Sequence, residues 1–272
     1  MSLIVFGGGK GSPGVTTAVL ALAAVWPEPA VVAECDPAGG DLVYRVRGQS
    51  GAALRREPGV VSLAAATRHG TGSSMSAERL GEYCQPAAGG ISLLRGPVSA
   101  EQATGLRPYW TPIARFLAQE PDTVLADAGR LHPDNAAMPV VRAADLVVLV
   151  CRDSVEGLAH LRDRCEYLLP VLAADGPASR IAVVVIANPR SGHGERAVRH
   201  AAEILAHIDV PAAAVGWLAV DPRAVRAVSA GARPLRSPLF RTGRTLADRL
   251  LPLLPGEPRA TLTGLTSDEV RQ

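Results

Sequence analysis

The sequence predicts an α/β fold in which a doubly wound, mostly parallel sheet of about seven strands lies between two layers of helices, the three-layer α/β/α arrangement. Two observations carry this expectation. Short continuous runs of Val, Ile, Leu and Ala recur along the 272 residues, as they do in strands buried on both faces. Stretches of helical length and spacing separate those runs, so that each strand can return parallel to the last.

In chain order, "LIVFGG" at 3–8 reads as the first strand and 18–26 as the helix after it. "AVVAE" at 30–34 is the second strand. The region 41–90 is the least regular: "PGVVSLAAAT" reads as a short helix entered after Pro58 and Gly59, and "RHGTGSS" as a loop. "ISLLRG" at 91–96 and "DTVLAD" at 122–127 are strands flanking a helix over 108–119. "ADLVVLVC" at 144–151, "RIAVVVIAN" at 180–188 and "AAAVGWLAV" at 212–220 complete the sheet, with helices over 155–169 and 195–208 between them. "LFRTGRTLADRLLPLL" at 239–254 places Leu246, Leu250 and Leu254 at helical spacing, as a last helix packing on the sheet would. Residues 1–254 therefore read as one domain, and the turn-rich, apolar-poor stretch 255–272 as a flexible tail.

Composition narrows the classes. Hydrophobic residues make up 47% but aromatics only 4%, so the core must be built from Ala, Val and Leu. Cys35, Cys84, Cys151 and Cys165 are scattered singly with no CxxC pair, which points away from zinc sites and disulfide frameworks and toward a reducing compartment. No basic segment precedes the first apolar run, and no run approaches the roughly 18 residues of a membrane span. A cytoplasmic protein without a transmembrane segment is expected. The net charge of +2 argues for no particular partner, but of 28 basic residues the one lysine is Lys10.

Lys10 lies in "FGGGKGSPGVTTAVLALA", a glycine-rich turn between the first strand and the first helix. Such a turn lets successive backbone N–H groups point at phosphates, with the positive helix end behind them and a hydroxyl at the metal. Gly9, Gly11 and Gly14 form the turn and Thr16 is placed for magnesium. The G-x-x-x-x-G-K-[ST] pattern is met except that Val15 stands where its lysine belongs. Two carboxylates follow at strand ends: Asp36 in "AECDPAGGDL", and Asp127 in "TVLADAGRLHP", where Gly129 follows as the glycine of a phosphate-sensing D-x-x-G switch does, one residue closer. A strand-end Asp by itself more often starts a turn. The loop and both carboxylates together, in this order, predict a nucleotide crevice.

The run K-G-S-P-G-V-T-T at 10–17 resembles the deviant Walker A motif of the ParA/MinD family, K-G-G-x-G-K-T-T, with Lys10 at the signature lysine and Val15 departing at the ordinary one. The resemblance continues through "ECDPAGG" as the D-x-D-P switch with Glu34 for its first Asp, "DTVLADAG" as Walker B, "AADLVVLV", "VVVIANPR" and "VGWLAVDPRAVRAVSAGARPL", where Ala219 replaces the usual proline. It spans roughly residues 3–250 and implies a P-loop ATPase of the SIMIBI class that binds ATP with magnesium and works as an ATP-bound homodimer. It implies that Gly9, Lys10, Gly11, Ser12, Gly14, Val15, Thr16 and Thr17 cradle the phosphates. Thr16 would ligate magnesium, with Asp36 also at the metal and Asp127 supporting it, and Asp36 would position or activate the attacking water. Asn188 would read adenine, with Arg190 and Asp221 at the same nucleotide. Loss of the lysine at 15 predicts slow or absent hydrolysis, and Lys10, acting in its own or the partner subunit, is left to supply charge. Arg130 is a further possible source.

The implied function is positioning of a cargo or adaptor protein, as in chromosome or plasmid partitioning and cell division. "ISLLRGPVSAEQA" resembles the TadZ/CpaE-like branch, whose cargo is a pilus or secretion machine. Seven arginines between Arg223 and Arg249 make non-specific DNA binding a candidate beside a solvated face; the last helix raises membrane association, which the tail after it argues against. The competing reading is a nucleotide-free pseudo-ATPase scaffold, carried by Val15, Glu34 and Ala219. His132 and His193 have no second ligand at metal spacing and read as surface histidines.

Overall fold

A computed structural model describes residues 2–11, 13–69, 80–173, 181–232 and 234–255. Ser12, Arg233, residues 70–74 of the loop expected at 68–74 and the tail beyond 255 lie outside the described residues, while the first two positions of that loop continue the preceding helix, which ends at His69.

The chain begins with β1 (Ser2–Gly8), turns through the glycine loop, and enters α1 (Val15–Ala23). β2 (Ala30–Glu34), α2 (Leu42–Arg45) and α3 (Val60–His69) follow. A hairpin of β3 (Gln85–Ala87) and β4 (Ile91–Leu94) leads to α4 (Ala100–Gly105), α5 (Trp110–Ala118) and β5 (Thr123–Arg130). The second half alternates regularly: α6 (Met138–Ala143), β6 (Leu146–Arg152), α7 (Val155–Ala173), β7 (Ile181–Ala187), α8 (His193–His207) and β8 (Ala214–Ala219). α9 (Pro222–Ser229) and α10 (Pro238–Leu250) close the described chain.

The eight strands form one sheet in the order β3-β4-β2-β5-β1-β6-β7-β8. All neighbours are parallel except β3 and β4. The seven apolar runs are the parallel strands, and β3 is the added eighth. Its three residues include Pro86, which cannot donate to a ladder and is tolerated at a sheet edge; nothing so short stands out as a strand in a sequence.

Alternation along each parallel strand feeds two cores, one per face. Leu3 and Val5 of β1, with Val147 and Leu149 of β6, pack on one side with Trp110, Ile113, Leu161 and Leu168. Ile4 and Phe6, with Val148 and Val150, pack on the other with Val19, Leu22, Leu239, Phe240 and Leu246. Burial on both faces is why these strands read as continuous apolar runs. α10 buries Leu239, Phe240, Leu246 and Leu250, so its apolar stripe serves this core. No helix among the described residues is long and apolar enough to cross a membrane.

Helix boundaries differ from expectation at both ends of α1 and at the end of α7, which runs on past 169 to Ala173. α1 starts three residues earlier than 18, at Val15, because Gly14 takes the left-handed conformation (φ 108°) and begins the helix directly. It ends before Trp26, which precedes Pro27 and is thereby disfavoured for helix.

Candidate functional site

β1 lies at the centre of the sheet, between β5 and β6. The loop leaving it therefore emerges where the chain order reverses, the place where open α/β sheets bind ligands. Gly11 (φ 90°) and Gly14 (φ 108°) occupy the left-handed region that glycine tolerates. A Cβ added to either would meet nothing within 4 Å, so this side of the loop is open. No side chain caps α1 and no acid sits in its first turn. An uncapped helix N-terminus behind a glycine turn is an anion cradle by construction.

Thr16, in that first turn, donates its hydroxyl to the carboxylate of Asp127. Asp127 is 1% exposed; its Oδ1 also accepts the Gly129 N–H at 2.9 Å. It lies inside β5 rather than after it, since that strand runs on to Arg130. Burial pushes its carboxyl up to about 7, and the hydrogen bonds from Thr16 and Gly129 only partly offset this. Asp36, in the loop after β2, accepts the Ala38 N–H on Oδ1 at 2.8 Å. Its carboxyl is also raised, first by burial and further by Asp41, while His132 opposes the rise. The charge of Asp36 raises the Asp127 carboxyl further, and Gly129 lies directly against the Asp36 carboxylate. Loop, hydroxyl and two carboxylates thus converge at one edge.

The other residues singled out from sequence divide into groups. Gly9, Lys10 and Gly11 line a hollow of about 140 Å³ with Arg152, Glu156 and His160; the Lys10 side chain is exposed. Gly14, Thr17 and Asp221 line a larger, mainly apolar hollow of about 360 Å³ with Ile186, Leu218, Val220 and Pro222. Asp221 also caps α9 by accepting the Ala224 N–H at 3.0 Å. Asn188 sits exposed in the loop after β7, with its Oδ1 on the Arg190 N–H at 3.1 Å. Arg190 lines a different groove, with Trp217, Arg241 and Arg249 beside β8. Val15 is 7% exposed and belongs to the core between α1 and the sheet. Arg130 is exposed at the end of β5.

Two residues, Asn135 and Arg45, and the role of Glu34 escaped the sequence reading. The Glu34 carboxylate, 2% exposed, accepts the Leu42 N–H at 2.8 Å and the Gly96 N–H at 2.9 Å. It clamps the Asp36 loop between β2 and β4, so the departure at this position is a brace. Asn135 holds the loop after β5 through the carbonyls of Ala128 and Arg130 and the N–H of Ala137. Arg45, one of 27 arginines, places its Nη2 2.8 Å from the Thr17 hydroxyl. Each acts across a long sequence interval or within a loop, where periodicity carries no signal.

These groups fit a nucleoside polyphosphate: an open cradle for phosphate, an adjoining apolar hollow for a base, and a hydroxyl paired with a buried carboxylate for a divalent ion. Among the described residues no group of three or more His, Cys, Asp and Glu stands at metal spacing, so phosphate oxygens and water would supply most ligands of such an ion.

Comparison with solved structures finds the same architecture. The chain matches a ParA family ATPase from Chlorobium tepidum with a TM-score of 0.65 and 19% identity, covering 90% of this chain and 98% of that one. It matches the septum site-determining protein MinD of Pyrococcus horikoshii, complexed with Mg-ADP, at 0.64 and 16%, covering 92% and 95%. It matches an ATP complex of a Cyanothece McdA variant at 0.64 and 14%, covering 93% and 96%. No protein-family profile matches the sequence, and no curated protein does. The fold is that of the ParA and MinD ATPases, held at low identity.

Proposed function

We propose that this chain, folded as the ParA and MinD ATPases are, is an ATP- and magnesium-binding switch that dimerises with nucleotide, hydrolyses it slowly or not at all, and positions a cargo. The observation that carries this reading is the convergence of Thr16, Asp127 and Asp36 on the open glycine loop at the central strand. Solved neighbours complexed with Mg-ADP and with ATP support it.

When bound, magnesium would neutralise phosphate charge. Thr16 would ligate it, Asp127 would support it through the Thr16 hydroxyl, and Asp36, facing the same space, would orient the water. The N–H groups of the loop, Ser12 included, and of the first turn would hold phosphate oxygens. Gly9, Lys10, Gly11, Gly14, Val15 and Thr17 form this cradle through backbone or side chain. Asn188, Arg190 and Asp221 would act toward the base, Asp221 from the edge of the apolar hollow. Buried Val15 contributes no charge, which lowers transition-state stabilisation.

The cargo class follows the neighbours, one of which is a septum site-determining protein. Chromosome or plasmid partitioning, division placement, or a TadZ/CpaE-type machine fit a positioning switch. Arginines 223, 226, 236, 241, 244 and 249 are exposed, as a DNA-tracking surface requires. The second reading, a nucleotide-free scaffold, rests on Val15 lying in the apolar core.

Calorimetric titration of ATP and ADP, with and without magnesium, alongside light scattering, tests the proposal. Magnesium-dependent ATP binding with a shift to dimer is expected. No binding up to millimolar nucleotide would favour the scaffold.

A further inference from the structure

The position of Arg45 goes one step beyond this reading, and rests on it. A P-loop that loses its lysine loses the fixed charge at the phosphates. Val15 turns into the core, and Lys10 lines the smaller hollow with Glu156 and His160. The first turn of α1 nevertheless has a cation bonded to it. Arg45 reaches from α2 to the Thr17 hydroxyl at 2.8 Å, and Thr17 is the one hydrogen-bond partner of its guanidinium among the described residues. A guanidinium carries five donors in a planar fork that matches phosphate oxygens, so one bond to a hydroxyl leaves most of that capacity free.

The reach is set by tertiary structure. Leu42 is fully buried in the core shared with α1, and its N–H is held by Glu34. α2 is thereby pinned beside the first turn of α1, and Arg45, its last residue, is delivered to Thr17. Glu34 and Val15 both depart from the switch and loop patterns; one places the helix that brings charge to the turn where the other omits it.

Thr17 also marks which phosphate is served. It borders the apolar hollow of about 360 Å³ with Ala18, Ile186, Leu218 and Pro222, the place suited to a base. A phosphate beside Thr17 is therefore the one nearest the nucleoside. Lys10, in the separate hollow across the loop, stands toward the other end of the chain of phosphates.

We propose that Arg45 is a nucleotide-binding residue that grips the phosphate group nearest the nucleoside, shared by ATP and ADP, in place of the charge that Val15 lacks. ATP and ADP then depend on it equally, whereas Lys10 discriminates between them.

The test is calorimetric titration of Mg-ATP and Mg-ADP into wild type, Arg45→Ala, Arg45→Met and Arg45→Lys, with melting of each protein without nucleotide. Arg162→Ala, on α7 beside Asp163 and Glu166, controls for loss of a surface charge. Arg45→Ala and Arg45→Met should weaken both nucleotides by about 10- to 100-fold with the ATP:ADP ratio preserved, and Arg45→Lys by less. Arg162→Ala should change neither affinity. The methionine variant keeps the aliphatic stem and decides the matter if the alanine variant melts early. Unchanged affinities in the Arg45 variants, or a loss confined to ATP, would overturn the proposal while leaving the switch intact. Wild type that binds neither nucleotide at millimolar concentration would overturn the switch itself, and this assignment with it.

Discussion

Gly129 of β5 lies against the carboxylate of Asp36, so closely that a Cβ at position 129 would fall on the Asp36 oxygens. It also has φ 59°, a conformation costly for any residue with a side chain. The loop after β2 and the end of β5 are locked together at this point. Gly129→Ala should destabilise the protein by about 1–3 kcal/mol and displace Asp36. Chemical denaturation reads the first effect; loss of magnesium-dependent ATP binding reads the second.

Asp127 makes stability depend on pH. Its folded carboxyl titrates at about 7 against an ordinary 3.8 because burial disfavours the charge. The folded state thus takes up a proton that the unfolded state does not hold between those values. This contribution is fully present below about pH 4 and is lost as pH rises through 7. Asp127→Asn keeps an acceptor for Thr16 and Gly129 and removes the charge. Without nucleotide it should melt higher than wild type at pH 8, with the difference shrinking toward pH 5. A variant that melts lower at pH 8 would contradict the assignment of cause.

Restoring the pattern at Val15 separates a weakened site from a retired one. Val15→Lys places a long charged chain at a position 7% exposed, and should cost about 1–2 kcal/mol in the protein without nucleotide. Phosphate release should rise at least about tenfold if Thr16, Asp36 and Asp127 are competent. No rise, with nucleotide binding intact, would show that the lysine is not what limits hydrolysis.

Lys10 is exposed in the loop and contributes no packing. Lys10→Ala should leave the melting temperature unchanged and ADP affinity within a few-fold. Nucleotide-dependent dimerisation, read by light scattering with ATP, should be lost. Dimers that persist with ATP would remove Lys10 from the subunit interface.

The sequence alone determined the parallel sheet, because strands buried on both faces must be continuously apolar, and the open turn before α1, because glycine favours the left-handed backbone found at Gly11 and Gly14. Asp36 and Asp127 were legible because they follow apolar runs that end at the same edge. Hairpin strand β3 was not, since three residues with a proline leave no period. Tertiary structure alone decided that Val15 joins the core, that Glu34 braces two strands, and that Arg45 meets Thr17 across 28 residues of chain. Those contacts depend on which segments the sheet order brings together. Local patterns record how a segment buries its own faces, and they hold no information about which distant side chain arrives beside it.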